Sequence, residues 1–236
     1  MATGRGRGAI RVASGLFSAG NFAGGKNSGQ GMTLSPDGSY YVGGFKDGLP
    51  HGRGTWSNKW TAYSGDWANL TQHGRGTLWT ADGSAMKGTF EDGAFKRGIL
   101  RYAGEYVYEG AVDENYLPHG RGILISTAQS VIREGNFVRG RLHGYGRSLN
   151  PDRSTYVGGF KEGVMSGSGV LTFASGAKIV GNFAENVPIK QHVYVLPRGR
   201  GAASPATFKT KRINGIDRFV LFTYELPEGT VTTRWD

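Results

Sequence analysis

A glycine recurs through this chain at Gly20, Gly43, Gly65, Gly88, Gly110, Gly135, Gly158 and Gly181, at intervals of 23, 22, 23, 22, 25, 23 and 23 residues. A period that regular restricts the chain to a repeat architecture, in which one supersecondary unit stacks on copies of itself. The clearest unit is Tyr41 to Trp56, YVGGFKDGLPHGRGTW. A tyrosine stands two residues before its first glycine and a phenylalanine two residues after. A polar turn follows, and then the Gly-x-Gly pair Gly52 and Gly54. The same skeleton returns at Tyr63 and at Tyr156.

Each unit reads as a β-hairpin. Alternation puts Tyr41, Gly43 and Phe45 on one face of a strand, with other residues between them on the opposite face. The turns Lys46-Asp47-Gly48, Glu91-Asp92-Gly93 and Lys161-Glu162-Gly163 place an acid before a glycine, as tight turns require. The second strand starts at the Gly-x-Gly pair, and linkers such as Pro36-Asp37-Gly38 and Ala81-Asp82-Gly83 are turn-like again. One column holds Phe22, Phe45, Trp67, Phe90, Phe137, Phe160 and Phe183, broken only by Val112. A looser column holds Tyr41, Tyr63, Met86, Tyr108, Tyr156 and Ile179, with Arg133 intruding. A lone hairpin cannot bury such rings, whereas stacked neighbours cover them from both sides. The unit around Gly88 has lost one residue, so Arg97-Gly98 stands where others have His-Gly-Arg-Gly. The unit around Gly181 lacks the second glycine pair and carries Lys190 and His192 there.

The 236 residues carry a net charge of +10, concentrated at the two ends; residues 18–189 are close to balance at +3. Residues 1–17, with Gly4-Arg5-Gly6-Arg7-Gly8, lack an apolar pattern and read as a disordered basic arm. Residues 18–190 form the array. Residues 191–236 read as a linker, Pro197 to Pro205, and a short C-terminal β extension with an Asn214-Gly215 turn. The fold expected is all-β: an elongated, solenoid-like stack of about eight antiparallel hairpins with that extension. Cysteine is absent, so disulfides and thiolate chemistry are excluded. No apolar run approaches the roughly 18 residues of a membrane helix. An intracellular place, cytoplasmic or at the cytoskeleton or a membrane, is expected.

Catalytic patterns are weak. His51, His73, His119 and His143 form a ladder, but equivalent atoms one unit apart sit roughly 9–10 Å from each other, too far to share a metal. Gly20-Asn21-Phe22-Ala23-Gly24-Gly25-Lys26 imitates a phosphate-binding loop, yet Asn27 stands where a magnesium-binding hydroxyl belongs. Asp66, Glu109 and Glu134 are isolated carboxylates without a partner spacing. The chain is therefore expected not to be an enzyme and to need no cofactor, no metal and no small-molecule substrate.

The units resemble the MORN repeat, the membrane occupation and recognition nexus motif, whose consensus runs close to YEGEWKNGKRHGKGTYTYADG. YVGGFKDGLPHGRGTW matches it almost column by column, and the resemblance covers about residues 18 to 190. It implies a twisted stack of antiparallel hairpins with a concave groove lined by aromatics. Such arrays occur in ciliary and cytoskeletal scaffolds, at membrane junctions, and beside kinase or methyltransferase domains.

Three functions stay open at this point. A non-catalytic scaffold would hold a segment of a protein partner, within a larger assembly, along the aromatic groove. Its lining would be Tyr41, Tyr63, Tyr108 and Tyr156 with Phe45, Trp67, Phe90 and Phe160. The tyrosine hydroxyls need water or a partner, so the rings are expected at the groove edge. A peripheral protein would instead meet an acidic membrane surface, or nucleic acid, through arginine-rich ends. The candidates there are Arg5, Arg7, Arg198, Arg200, Lys209, Lys211 and Arg212, with Arg53, Arg75 and Arg121 as a column on the array. The third function is a structural component of an axoneme or virion.

Overall fold

The computed structural model describes residues 4–196 and, as backbone, the strands at 206–213, 216–226 and 229–231. Among the described residues every regular element is a β-strand. Two compact units divide the chain between Tyr116 and Leu117. The first holds β1 (Arg5–Arg11), β2 (Phe17–Ala23), β3 (Lys26–Leu34), β4 (Tyr40–Lys46), β5 (Leu49–Ser57), β6 (Thr61–Ala68), β7 (Thr71–Thr80), β8 (Ala85–Glu91), β9 (Ala94–Tyr102) and β10 (Tyr106–Val112). The second holds β11 (Pro118–Ser126), β12 (Val131–Val138), β13 (Arg141–Leu149), β14 (Thr155–Lys161), β15 (Val164–Thr172), β16 (Lys178–Ala184), β17 (Val187–Val195), β18 (Ala206–Ile213), β19 (Ile216–Leu226) and β20 (Gly229–Val231). Within each unit every strand pairs antiparallel with the next, so each is an open meander of hairpins.

The hairpin turns follow the spacing of acid and glycine. Asp47 and Gly48 sit at φ 53° and 84°, Asp92 and Gly93 at 49° and 83°, Glu162 and Gly163 at 51° and 84°. Two successive positive φ values give the mirror-image turn whose twist matches that of paired strands. These turns also join one hairpin to the one before it. The N–H of Gly48 donates to the Asn27 carbonyl at 2.9 Å, and that of Gly93 to the Gln72 carbonyl at 2.9 Å. In the second unit Gly140 donates to Pro118 at 2.9 Å and Gly163 to Leu142 at 2.8 Å. A backbone bond repeated once per hairpin fixes how far each slides on its neighbour.

The linkers use a side chain instead. The carboxylates of Asp37, Asp82 and Asp152 accept the N–H of the residue two ahead, at 2.9, 3.0 and 2.9 Å. Hydroxyl donors, Ser39 on Asp37, Thr80 on Asp82 and Ser154 on Asp152, together with those N–H groups hold all three carboxyls below their ordinary 3.8.

The N-terminal segment departs from expectation. Arg5 to Arg11 is a strand registered on β2 from Arg5↔Ala23 to Arg11↔Phe17, rather than a disordered arm. Its side chains are all exposed. It pairs with the open backbone edge of β2, whose unpaired N–H and C=O groups accept any strand. At the other end β17 runs to Val195, past the expected limit of the array, and β18 pairs with it at His192↔Phe208. The linker residues 197–205 lie outside the described residues.

Candidate binding faces of the sheet

The glycines of successive strands pair with one another. In the first unit the register runs Gly8↔Gly20↔Gly31↔Gly43↔Gly54↔Gly65↔Gly76↔Gly88↔Gly98↔Gly110. In the second it runs Gly122↔Gly135↔Gly146↔Gly158↔Gly169↔Gly181. Each sheet is therefore crossed, strand after strand, by a line without side chains. What fills that line differs between the two faces.

On one face it is filled by tyrosine. The rings of Tyr41, Tyr63 and Tyr156 lie across Gly54, Gly76 and Gly169, so a Cβ at any of these glycines would run into the ring. Each tyrosine is held edge-on between its own hairpin's aromatic and the next one's. Tyr41 meets Phe45 at 5.0 Å and Trp67 at 5.2 Å, both nearly perpendicular. Tyr63 meets Trp67 at 5.2 Å and Phe90 at 5.0 Å, and Tyr156 meets Phe160 at 5.1 Å and Phe183 at 5.0 Å. Edge-to-face contact at this separation is the favoured geometry for rings.

This corrects the expected groove edge. Tyr63, Tyr108 and Tyr156 are 0% exposed and Tyr41 3%. Phe45, Trp67, Phe90 and Phe160 are buried with them. Two of the hydroxyls have hydrogen-bond acceptors inside the protein: Tyr41 donates to the Gly44 carbonyl at 2.9 Å, and Tyr63 to the Asp66 carbonyl at 3.0 Å. Desolvation is the main reason that both hydroxyls are pushed up to about 12; the Tyr156 hydroxyl is raised by the same cause.

Where the tyrosine is missing, another side chain takes its space. Beside Arg133, the fully buried Leu142 packs over Gly135 and Gly146. Beside Met86, Phe95 is buried against Phe90 at 5.4 Å. Ser18 and Asn27 occupy the first hairpin as a buried hydrogen-bonded pair at 2.7–2.9 Å.

A cleft opens on this aromatic face. It has about 370 Å³ and is lined by Tyr41, Pro50, Trp56, Trp67, Leu70, Thr71, Gln72 and Gly93. Leu70 is the second residue of its turn, at φ 75°, and is 57% exposed. The matching residue is glycine at positions 48, 93, 140 and 163. A leucine in the left-handed region costs roughly 1–2 kcal/mol.

On the opposite face the glycine line is bare. Residues next to each glycine point to this side, so the line becomes the floor of a trough. Across Gly54, Gly65, Gly76 and Gly88 it has about 570 Å³, with Arg53, Arg75 and Thr89 on one bank and Thr55, Ser64, Thr77 and Lys87 on the other. The one acid beside it, Asp66, is already engaged, with Arg53 Nε at 3.5 Å and the Arg75 backbone N–H at 2.9 Å. A second trough, about 530 Å³, lies in the other unit over Gly135 and Gly146, rimmed by Arg121, Glu134, Asn136, Tyr145 and Arg147. Tyr145 there is 75% exposed.

The arginine column thus divides: Arg53 and Arg75 share a trough, and Arg121 belongs to the second unit's. Arg5 and Arg7 lie exposed on β1. Arg198 and Arg200 fall outside the described residues, and Lys209, Lys211 and Arg212 fall on β18, of which only the backbone is described. Lys87 and the four hydroxyl residues of the first trough are missed by a column search. The signal for them is the alternation itself, since residues flanking a glycine column share its opposite face.

Residues 19–40, 41–59, 63–85, 134–155 and 156–178 each match the MORN repeat. Alsin from Homo sapiens and from Mus musculus is 29% identical over 178 residues, 71% of this chain. Alsin from Rattus norvegicus is 39% identical over 75 residues, 30% of this chain. The chain spans less than a tenth of these relatives: the matched segments make up 9% of the human and mouse proteins and 4% of the rat protein.

Proposed function

Because the chain carries five MORN repeats between residues 19 and 178, a non-catalytic unit with a structural or binding role, we propose that it is a scaffold holding a segment of a partner protein. The observation that carries this is Leu70. A strained backbone residue persists only where the surroundings demand it, and such residues gather at functional sites. Here the strain keeps an exposed leucine at the mouth of an apolar cleft beside Trp56 and Trp67. An apolar anchor flanked by tryptophan has the composition of an interface hot spot. The aromatic groove is thus narrowed to this cleft, since the tyrosines beneath it are spent on packing. The repeats hold the partner and perform no chemistry of their own. Its expected setting is intracellular, at the cytoskeleton or a membrane, where MORN proteins are found.

Leu70→Gly separates the two roles of the residue. The variant is expected to be as stable as the parent or more so, by up to about 1 kcal/mol, because glycine relieves the positive φ. A photo-reactive leucine at position 70 of the full chain is expected to crosslink a protein from the native extract, and Leu70→Gly to lose that protein in affinity capture. Capture undiminished by Leu70→Gly, with no crosslink at position 70, would remove the cleft as the site.

A second function keeps one observation. Arg5, Arg7 and Arg11 sit together on β1 with every side chain exposed, a compact cationic edge that suits an acidic membrane surface.

A further inference from the structure

The trough over Gly54, Gly65, Gly76 and Gly88 lies on the face that the aromatic packing leaves free. We propose that it is a second binding site, for an acidic segment of a partner protein in extended conformation, with Arg53, Arg75 and Lys87 receiving its carboxylates. It goes beyond the Leu70 cleft, because the two sites occupy opposite faces of one sheet.

Charge complementarity selects the sign of the ligand. Three cations surround the trough, against one acid. Asp66 is occupied by Arg53 and by the Arg75 backbone, and among the described residues neither Arg75 nor Lys87 has an acidic side chain within ion-pair distance. The Arg53 side chain is 91% exposed, so its second guanidinium edge faces solvent. Arginine suits carboxylates because its planar fork matches both oxygens.

Width selects the shape. The two banks are residues i and i+2 of the same strands, roughly 7 Å apart. That admits one extended chain lying on bare glycine backbone and is too narrow for a helix of about 10 Å diameter. The threonine and serine hydroxyls on the banks can donate to or accept from a peptide backbone on the floor.

The lining also argues against other polyanions. No aromatic ring borders the trough, so nothing offers a base the stacking surface by which single-stranded nucleic acid is held. No apolar side chain lines it, and exposed Val42 and Ile99 stand only at its two ends, opposite Thr55 and Lys87, so an acyl chain would find no continuous apolar contact. What remains is an unbranched, carboxylate-bearing backbone, which is an acidic peptide.

The test uses the full chain and a fluorescein-labelled peptide of alternating glutamate and serine, followed by anisotropy at about 50 mM salt, where the charges are weakly screened. Vesicles containing phosphatidylserine and an oligothymidylate are titrated in parallel. The triple variant Arg53→Gln, Arg75→Gln, Lys87→Gln keeps the fold, because all three side chains stand in solvent; its melting curve checks this. Peptide affinity is expected to fall at least about tenfold in the triple variant. It is expected to be unchanged in Arg5→Gln with Arg7→Gln, and unchanged in Leu70→Gly. Equal peptide affinity in parent and triple variant would overturn the proposal. So would vesicle or oligothymidylate binding that depends on these three residues while the peptide does not bind. Loss of the Leu70 partner with peptide binding intact leaves this site standing, so the two proposals fail separately.

Discussion

Tyr63→Ala is expected to lower the stability of the first unit by about 4 kcal/mol, the range for emptying a large aromatic site in a packed core. The ring is fully buried between Trp67 and Phe90, and its hydroxyl donates to the Asp66 carbonyl. Removing it therefore deletes two edge-to-face contacts and leaves a cavity over Gly65 and Gly76. Denaturant unfolding of parent and variant measures the difference. A tyrosine that merely lined a binding groove would cost almost nothing. A loss under about 1 kcal/mol would return Tyr63 to the surface and with it the groove edge that its sequence position suggests. Because units of a stack lean on their neighbours, the loss should spread to the adjacent hairpins.

Gly76→Ala is expected to be nearly as damaging, about 3 kcal/mol, for the complementary reason. The added methyl would occupy the space of the Tyr63 ring, and overfilling a packed site forces the ring and the backbone apart. The pair makes a closed test. In a Tyr63→Ala background the same Gly76→Ala change should cost less than about 1 kcal/mol, since the ring that it collides with is gone. Coupling of that size between two residues in contact is what a double-mutant cycle detects. Equal costs in both backgrounds would mean that Gly76 is required by backbone approach alone and that the tyrosine–glycine interlock is not what holds the strands.

The hairpins and their phase were legible because glycine spacing and aromatic alternation are local signals. Gly43, Phe45 and the Asp47-Gly48 turn lie within one hairpin, and the structure places them as the spacing requires. The depth of the tyrosines was not legible. Alternation says which face Tyr41 occupies; it does not say that Trp67, one hairpin away, closes over it. Burial here is a property of the stack. The substitutions in the tyrosine column were readable as gaps, but not their repair, because Leu142 reaches the vacancy beside Arg133 from the partner strand. Residues 5–11 misled for a different reason. Their pairing with β2 is made by backbone, and a Gly-Arg alternation carries no apolar mark of it. The trough was hidden by its composition: threonines and arginines on a strand read as a solvated surface until the glycine floor between them is seen to run from strand to strand.

The site assignments rest on the tyrosines being sealed into the core, and alkaline titration of the full chain tests that most directly. Tyr41 and Tyr63 have hydroxyls pushed by burial from 10.0 to about 12. A raised value in the folded state means that the unfolded chain ionises first. Their contribution to stability is therefore complete below pH 10 and is lost as pH rises from 10 through about 12. Tyrosinate absorbance and the far-ultraviolet β signal are followed together. The account predicts that part of the tyrosinate signal is withheld until near pH 12 and then appears along with loss of the β signal. Complete ionisation near pH 10, with the β signal intact, would contradict it and place those rings at the open edge of a groove.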